Sequence, residues 1–461
     1  MAISFVFGNK KEEKILKMKK CFLMLLICCA VLFGAENPKY VFLFIGDGMS
    51  VPQRMLAEEY ANKVRGTEIC FNHFPCQAMT KTYSANSYVT DSAAAATAMA
   101  CGVKTNNLRI GIDAQGNQLE SVAYVAKKAG RKVRIVTSIY INHATPAGFY
   151  GKRLNRNMYY ELGLDLVASG FDFFGGGGVN KNDDKKSKEY KGDIYDLATA
   201  AGYKIARTRE ELQALKPGEG KVLAPGAKGT LKYRIDREPE EKQPALSEYV
   251  AKAIEMLDNP KGFFMMVEGG MIDLVGHGND AATNMEEVTG LDAAVRVALA
   301  FAERHPKETL IVVTGDHETG GMTMGFAGSG NHLNVERLGF QKISAGEFGK
   351  KVIAAKKDKA DFSFEDAKPM LTKYFGFKFG NDKNDPMTVT EKELKMLQDD
   401  FANNKLADAA RRVMMNKSGV GWTTGSHTSL PALTTAKGVG AEKFQGFLEN
   451  TDIAKILKEM F

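Results

Sequence analysis

Four nearly continuous apolar runs constrain the fold of this chain more than any other feature. They are YVFLFI (40–45), KVRIVT (132–137), FFMMV (263–267) and TLIVVT (309–314). Strands that are buried on both faces, as in a parallel sheet covered by helices, read as runs of this kind. Segments with a helical pattern lie between them, at 92–100, 119–128, 246–257 and 285–304. This alternation predicts a doubly wound α/β fold, with a mostly parallel central sheet and helices on both faces.

The length and composition fit one large globular domain. The chain has 461 residues, of which 44% are hydrophobic and 25% charged, which excludes a disordered or fibrous protein. We predict a single domain over 36–461. Two regions have the character of insertions, one near 177–240 that is rich in Gly, Lys and Asp, and one near 325–420 that contains helical stretches.

The first 35 residues resemble an export signal. Lys19 and Lys20 precede an apolar run, 21–33, which is followed by the small residues Gly34 and Ala35. The run is short for a membrane-spanning helix. We therefore predict a signal peptide over 1–35, with Met18 as an alternative start, and a secreted or periplasmic protein with no membrane span after signal removal. A lipid anchor through Cys28 or Cys29 is the other interpretation.

The net charge of +7 gives no case for a nucleic-acid-binding surface. Six Lys and two Glu fall within residues 1–35, so the remainder carries only +3, without a concentrated basic stripe.

Outside the signal the cysteines are Cys70, Cys76 and Cys101. Export permits a disulfide between Cys70 and Cys76, and three buried thiols are the alternative.

Carboxylate, imidazole and hydroxyl groups follow each of the four predicted strands. In open α/β sheets such groups gather at the carboxyl ends of the strands. They are Asp47 after the first strand, His143 and Thr145 after the second, Glu268, Asp273 and His277 after the third, and Asp316 and His317 after the fourth. His427 lies in another Gly-containing loop. Four such sets on four strands predict a site for several metal ions.

The ligand types indicate which ions. Imidazole and carboxylate ligands without cysteine suit catalytic zinc. Carboxylates with a hydroxyl, as in Asp47, Glu268 and Thr145, suit magnesium.

Ser92 is the candidate nucleophile. It precedes the strongly helical segment AAAATAMA, so it is expected at a helix N-terminus, where free N–H groups and the helix dipole favour a phosphate. An ordinary Ser N-cap is the other interpretation, and the two roles are compatible.

Six sequence motifs together resemble those of one family, the alkaline phosphatases, and they extend over nearly all of the chain after the signal. The matching segments, in family order, are IGDGM (45–49), TDSAAAATA (90–98), HATPAGFY with a downstream NRN (143–157), VEGGMIDLVGH (267–277), TGDHETGG (314–321) and TGSHT (424–428).

The resemblance implies a role for each residue. The first zinc is expected on Asp273, His277 and His427, the second on Asp47, Asp316, His317 and Ser92, and magnesium on Asp47, Thr145 and Glu268. Arg156 is expected to bind substrate phosphate, held in place by Asp91. The resemblance further implies an inserted crown-like region, a homodimer, and hydrolysis of small phosphate monoesters through a phosphoserine, with two zinc ions and one magnesium ion per chain.

Two positions differ among members of the family. His143, beside the third metal, stands where other bacterial members have Asp, and should weaken magnesium binding. Leu274 stands where many members have a Lys, His or Trp that helps to bind phosphate, so we expect weaker phosphate binding and less product inhibition.

Three other functions compete with this interpretation. A diesterase or phosphonate hydrolase of the same superfamily shares the two-metal site, but Ser92 together with Arg156 favours the monoesterase. A sulfatase needs a Cys-x-Pro-x-Arg motif, which the sequence lacks. A non-catalytic metal-binding surface protein would have lost a ligand or the nucleophile, and all are present.

Overall fold

A ten-stranded sheet forms the centre of the computed structural model, which describes residues 37–238, 241–256, 259–382 and 384–461. The proposed signal peptide lies outside the described residues. The strands of this sheet are β1 Tyr40–Gly46, β2 Cys76–Lys81, β3 Lys132–Thr137, β4 Phe173–Gly176, β5 Tyr203–Ile205, β6 Lys221–Pro225, β7 Phe263–Gly269, β8 Thr309–Gly315, β13 Ala432–Gly438 and β14 Gly446–Glu449. Their spatial order is β14-β2-β13-β8-β1-β7-β3-β4-β6-β5.

Nine of these ten strands run in the same direction. Only β13 is antiparallel to its two neighbours, β2 and β8, and every other pairing in the sheet is parallel. The mostly parallel sheet predicted from the sequence is confirmed. Four further strands form two small ribbons: β9 Glu318–Thr319 with β12 His427–Thr428, and β10 Met322–Met324 with β11 Val420–Trp422.

Helices cover both faces of the sheet. Along β1, Tyr40, Phe42 and Phe44 pack into one apolar core, while the alternate side chains, among them Val41 and Leu43, pack into a second core on the other face. The helices are α1 Val51–Tyr60, α2 Ser92–Cys101, α3 Val122–Lys128, α4 Ala144–Ala147, α5 Tyr159–Ser169, α6 Ile194–Ala200, α7 Arg209–Ala214, α8 Leu246–Glu255, α9 Met271–His277, α10 Ala281–Arg304, α11 Ala345–Asp358, α12 Phe364–Phe375, α13 Glu391–Ala402, α14 Leu406–Ser418 and α15 Asn450–Glu459.

The four apolar runs are the four adjacent central strands β8, β1, β7 and β3. The region 177–240 contributes β5 and β6 to one edge of the sheet. The region 325–420 contains α11 to α14, whose buried side chains join the first core. Cys70, Cys76 and Cys101 are separate, buried thiols. No helix of the described part of the chain is both long and apolar enough to span a bilayer.

Candidate metal centre and active site

The strand register brings three carboxylates to one edge of the sheet. Gly46 of β1 pairs with Gly269 of β7 and with Gly315 of β8. Asp47 and Asp316 follow these glycines, and Glu268 precedes Gly269. All three carboxylate side chains are buried, which is costly for a charge without a partner.

Gly48 allows the first loop to close over this edge. Its φ of +72° is a left-handed conformation that favours glycine, and its N–H donates to Asp316 Oδ1 at 3.0 Å. A Cβ at this position would lie 2.9 Å from Cα of Asp273. The glycine of the sequence motif therefore lets the loops after β1 and β7 pack together.

The Asp316 cluster consists of Asp47, Asp316 and His317. Nε2 of His317 lies 3.4 Å from Oδ1 of Asp47 and 3.2 Å from Oδ2 of Asp316. The same nitrogen lies 3.2 Å from Oγ of Ser92. Burial, together with the neighbouring His427, lowers the pKa of His317 well below its usual value, which keeps the imidazole in the neutral form that ligates metals.

The Asp273 cluster consists of Asp273, His277 and His427. Nδ1 of His277 lies 2.8 Å from the carbonyl oxygen of Gly425, and Nδ1 of His427 lies 2.9 Å from that of Thr90. A carbonyl only accepts, so both Nδ1 atoms carry a proton and both Nε2 atoms face Asp273, at 3.3 and 3.5 Å.

Interactions within the Asp273 cluster shift the pKa values of Asp273 and His277 in opposite directions. The hydrogen bond with Asp273 raises the pKa of His277 to about 9. Burial alone would raise the pKa of Asp273, but the hydrogen bond from His277 and the neighbouring imidazoles bring it below its usual value. Ligand atoms of Asp273, His317 and His427 lie within 4.8 Å of one another, so the two clusters adjoin.

The Glu268 cluster consists of Asp47, His143, Thr145 and Glu268. The Thr145 hydroxyl donates to Oδ2 of Asp47 at 3.2 Å, and Nδ1 of His143 lies 3.8 Å from Oε1 of Glu268. The other oxygen of Glu268 accepts from the hydroxyl of Thr137. Asp47 thus belongs to both this cluster and the Asp316 cluster.

The donor atoms fit metal ions. Three buried oxygens that face into the clusters have no hydrogen-bond partner: Oδ1 of Asp47, Oδ2 of Asp316 and Oε1 of Glu268. Burial and neighbouring carboxylates raise the pKa of Asp316 to about 8 and that of Asp47 well above its usual value. Divalent cations would satisfy these atoms and offset the repulsion between the carboxylates.

Ser92 is the first residue of α2, and Asp91 is the N-cap. Oδ1 of Asp91 accepts from the N–H of Ala94 at 3.0 Å, so the interpretation of Ser92 as an ordinary N-cap is wrong. Both residue types cap helices well, and here the aspartate takes the role. The Ser92 hydroxyl is consequently free of capping and points towards His317.

Arg156 is held beside Ser92 by three contacts. Its guanidinium donates to Oδ2 of Asp91 at 3.2 Å and to Nε2 of His143 at 3.0 Å. Its backbone N–H donates to the carbonyl of Leu108 at 2.7 Å, and the N–H of Leu108 donates to Oδ2 of Asp91 at 3.0 Å. Every sequence-predicted site residue therefore lies in one continuous network.

A family model described as alkaline phosphatase matches residues 38–461. The chain belongs to the alkaline phosphatase family. Its relatives include alkaline phosphatase 4 of Bacillus subtilis (strain 168), 34% identical over 436 residues, which cover 90% of this chain and 87% of that protein. Members of this family are phosphomonoester hydrolases.

Solved structures of alkaline phosphatases share the fold. A cold-active enzyme from a psychrophilic Shewanella sp. superposes with a TM-score of 0.79 at 29% identity, over 91% of this chain and 99% of that one. The Thermus thermophilus enzyme gives a TM-score of 0.77 at 26% identity, over 92% of each chain. These comparisons confirm the fold class inferred from the apolar runs.

Two residues of this candidate site were not identified from the sequence. The hydroxyl of Thr319 donates to Oδ1 of Asp273 and lies 3.3 Å from Nδ1 of His317, so it contacts two clusters. Its position two residues after His317, within the segment TGDHETGG, could have indicated it. Leu108 acts through its backbone at a φ of +73°, a conformation that its residue type gave no reason to expect.

Proposed function

We propose that this chain hydrolyses phosphate monoesters through a phosphoserine at Ser92, with two zinc ions and one magnesium ion. The observation that carries the proposal is the position of the Ser92 hydroxyl. It lies at the N-terminus of α2, 3.2 Å from His317 of the Asp316 cluster, in a network with Arg156.

The three clusters would hold the three ions. The first zinc would bind the Asp273 cluster, the second the Asp316 cluster together with Ser92, and magnesium the Glu268 cluster. When bound, the metals supply positive charge that activates the serine hydroxyl and stabilises the attacking and leaving oxygens.

The residues of the chain orient the substrate for two displacements. Arg156 can donate two parallel hydrogen bonds to non-bridging phosphate oxygens, and Asp91 holds its guanidinium. Oγ of Ser92 attacks phosphorus, the ester P–O bond breaks and the alcohol leaves. Water then attacks the phosphoserine, releasing inorganic phosphate and restoring the hydroxyl. The free N–H groups of α2 face the phosphoryl group throughout.

Comparing monoester with diester hydrolysis tests this function. We expect the protein to hydrolyse p-nitrophenyl phosphate in strong preference to bis-p-nitrophenyl phosphate at alkaline pH, with zinc and magnesium present. A preference for the diester would assign the chain to the diesterase branch of the superfamily. Metal binding without turnover of any phosphate ester would favour a non-catalytic role.

His143 should weaken magnesium at the Glu268 cluster. A histidine-to-glutamate variant of the TAB5 alkaline phosphatase, 26% identical with a TM-score of 0.66, is described with Mg bound in its M3 site. In this chain Nδ1 of His143 lies 3.8 Å from Oε1 of Glu268, at a place where a carboxylate would add negative charge.

The variant His143→Asp is therefore expected to bind Mg²⁺ about tenfold more tightly, within the range found for groups that support metal ligands. Calorimetric titration of Mg²⁺ into zinc-loaded protein measures the change. The neutral variant His143→Asn is the control and should show no such gain. Equal Mg²⁺ affinity in His143→Asp and the parent would contradict the expectation.

Leu274 predicts weak inhibition by the product phosphate. Its side chain follows Asp273 in α9 and is 41% exposed, so it offers an aliphatic surface where a cation could bind phosphate. In Leu274→Lys we expect the inhibition constant for inorganic phosphate to fall by roughly fivefold, because a charge-assisted contact is added. Inhibition of p-nitrophenyl phosphate hydrolysis gives the constant, with Leu274→Met as the uncharged control. An unchanged constant in Leu274→Lys would refute this role.

Two further proposals, on export and on assembly, are based on residues 1–35 and on the resemblance to the family. We propose that residues 1–35 direct secretion or export to the periplasm and that the mature chain forms a homodimer. N-terminal sequencing of the exported protein and its mass in solution test the two points separately.

A further inference from the structure

A cavity of about 640 Å³ lies next to the Asp273 cluster. Met271 and Leu274 of α9 form part of its wall, on either side of Asp273 in the same short helix. The remaining wall comes from the loop 230–238 and from residues 342–351 and 374. The cavity therefore shares helix α9 with the Asp273 cluster.

The wall of the cavity is cationic. Five basic and three acidic side chains line it. One of the acidic groups, Glu347, pairs with Lys350 at 3.0 Å. The other two are Asp236, which accepts from the neutral hydroxyl of Ser344 at 2.6 Å, and Glu238.

Three of the basic groups have no carboxylate partner among the described residues: Arg237, Lys342 and Lys351. The hydrogen bonds that Arg237 and Lys342 do make are to backbone carbonyls, those of Gln243 and Gly339. Such contacts do not neutralise the three basic groups, which outnumber the two other carboxyl groups of the wall, Asp236 and Glu238. An anionic group that enters the cavity is therefore attracted.

Apolar and aromatic side chains form the rest of the wall. They include Leu274, Ile343, Tyr233 and Tyr374. A volume of this size accommodates a small organic molecule, and ligand sites commonly combine an apolar wall with a few charged groups.

In-line displacement places the leaving group on the side of the phosphorus opposite the nucleophile. Ser92 attacks from the N-terminus of α2, and none of the residues that line the cavity belongs to α2. The cavity instead borders α9, which carries Asp273 and His277. A leaving group that departs past the Asp273 cluster would therefore enter this cavity.

We propose that this cavity is a subsite for the leaving group, selecting phosphate monoesters whose leaving group carries a second anionic group, such as a sugar with a second phosphate. The inference rests on the proposed monoesterase function and adds a substrate class to it. Lys342 and Lys351 bind the second anion, and the apolar wall contacts the carbon skeleton.

A matched pair of substrates tests the subsite. Fructose 1,6-bisphosphate and fructose 6-phosphate share one skeleton and differ by one phosphate. We expect kcat/KM for the bisphosphate to exceed that for the monophosphate by about tenfold at low ionic strength, above the roughly twofold advantage of having two ester groups. Raising the salt concentration to about 0.5 M should reduce the ratio, because screening weakens the attraction.

Charge reversal locates the effect. The double variant Lys342→Glu/Lys351→Glu is expected to lower the ratio to about two or below, because the cationic wall becomes anionic. The control is Lys357→Glu/Lys392→Glu, which reverses two exposed lysines outside the cavity and should retain the ratio of the parent. Melting temperatures of both variants confirm that they fold.

The outcomes separate the two proposals. A parent ratio of about two, or an unchanged ratio in the cavity variant, overturns the subsite while turnover of fructose 6-phosphate upholds the monoesterase. An equal loss of preference in both double variants also overturns it, because the effect would then follow net charge rather than the cavity. Absence of turnover on every monoester overturns both proposals.

Discussion

Replacing Ser92 by alanine is expected to reduce hydrolysis of p-nitrophenyl phosphate by at least about 10³-fold, because the variant lacks the oxygen that attacks phosphorus. The substitution should leave the fold intact. Asp91, not Ser92, caps α2, and alanine favours helices, so the variant loses a hydroxyl without losing the cap. The rate at saturating substrate, measured on metal-loaded protein, reports the loss.

The matched control for this prediction is Ser87→Ala. Ser87 lies five residues before Ser92, in the segment that precedes α2. Its hydroxyl accepts a hydrogen bond from the N–H of Val89. We expect its activity to stay within about twofold of the parent, as for most substitutions away from a site. Equal activity of Ser92→Ala and the parent would mean that another group is the nucleophile.

Removal of the metals is expected to abolish activity and to destabilise the fold. Without cations, the buried carboxylates Asp47, Glu268 and Asp316 lie together with unpartnered oxygens. Each site held at about 1,000 times its dissociation constant adds roughly 4 kcal/mol to the free energy of unfolding, which chelation removes. Calorimetry before and after EDTA, and after zinc and magnesium are restored, measures this.

The loss of stability in the metal-free protein should increase with pH. Burial and neighbouring carboxylates raise the pKa of Asp316 to about 8, whereas the unfolded chain releases this proton at about pH 4. Between those values the folded state binds more protons than the unfolded state, so the free energy of unfolding falls as pH rises. The metal-free melting temperature should therefore be lower at pH 8 than at pH 5.

Bound cations should suppress this pH dependence, since they keep the carboxylates ionised at both pH values. Activity that survives complete chelation, or a melting temperature that chelation leaves unchanged at pH 8, would contradict the assignment of these residues as metal ligands.

The centre of the sheet could be predicted from sequence because burial on both faces leaves an unbroken apolar run. The bounds of β3 agree with the prediction, and β1, β7 and β8 extend only into the following Gly or Glu-Gly. Strands β4 and β5 were missed because they are short: β5 has three residues and β4 four, too few to show a pattern. Strand β13 is longer, but its two threonines interrupt the apolar run that would have indicated a buried strand.

Some residues of the candidate site could likewise be predicted from the apolar runs, and others could not. Asp47, Glu268 and Asp316 follow directly from their positions at strand ends. His427 does not, because it is 110 residues from His317 and reaches the site through the pairing of β12 with β9. The sequence marked it only as a histidine in a Gly-containing loop, and the resemblance to the family assigned it to the first zinc. The choice of Asp91 over Ser92 as N-cap depended on loop geometry that neither residue type determines.

The central claim is that Ser92 carries the phosphoryl group during turnover. Quenching metal-loaded protein in acid during hydrolysis of p-nitrophenyl phosphate, followed by peptide mass spectrometry, tests it directly. We expect phosphate on the peptide that contains Ser92, localised to that residue and absent from Ser92→Ala. Phosphate on a different residue, or active turnover with none on the protein, would contradict the account.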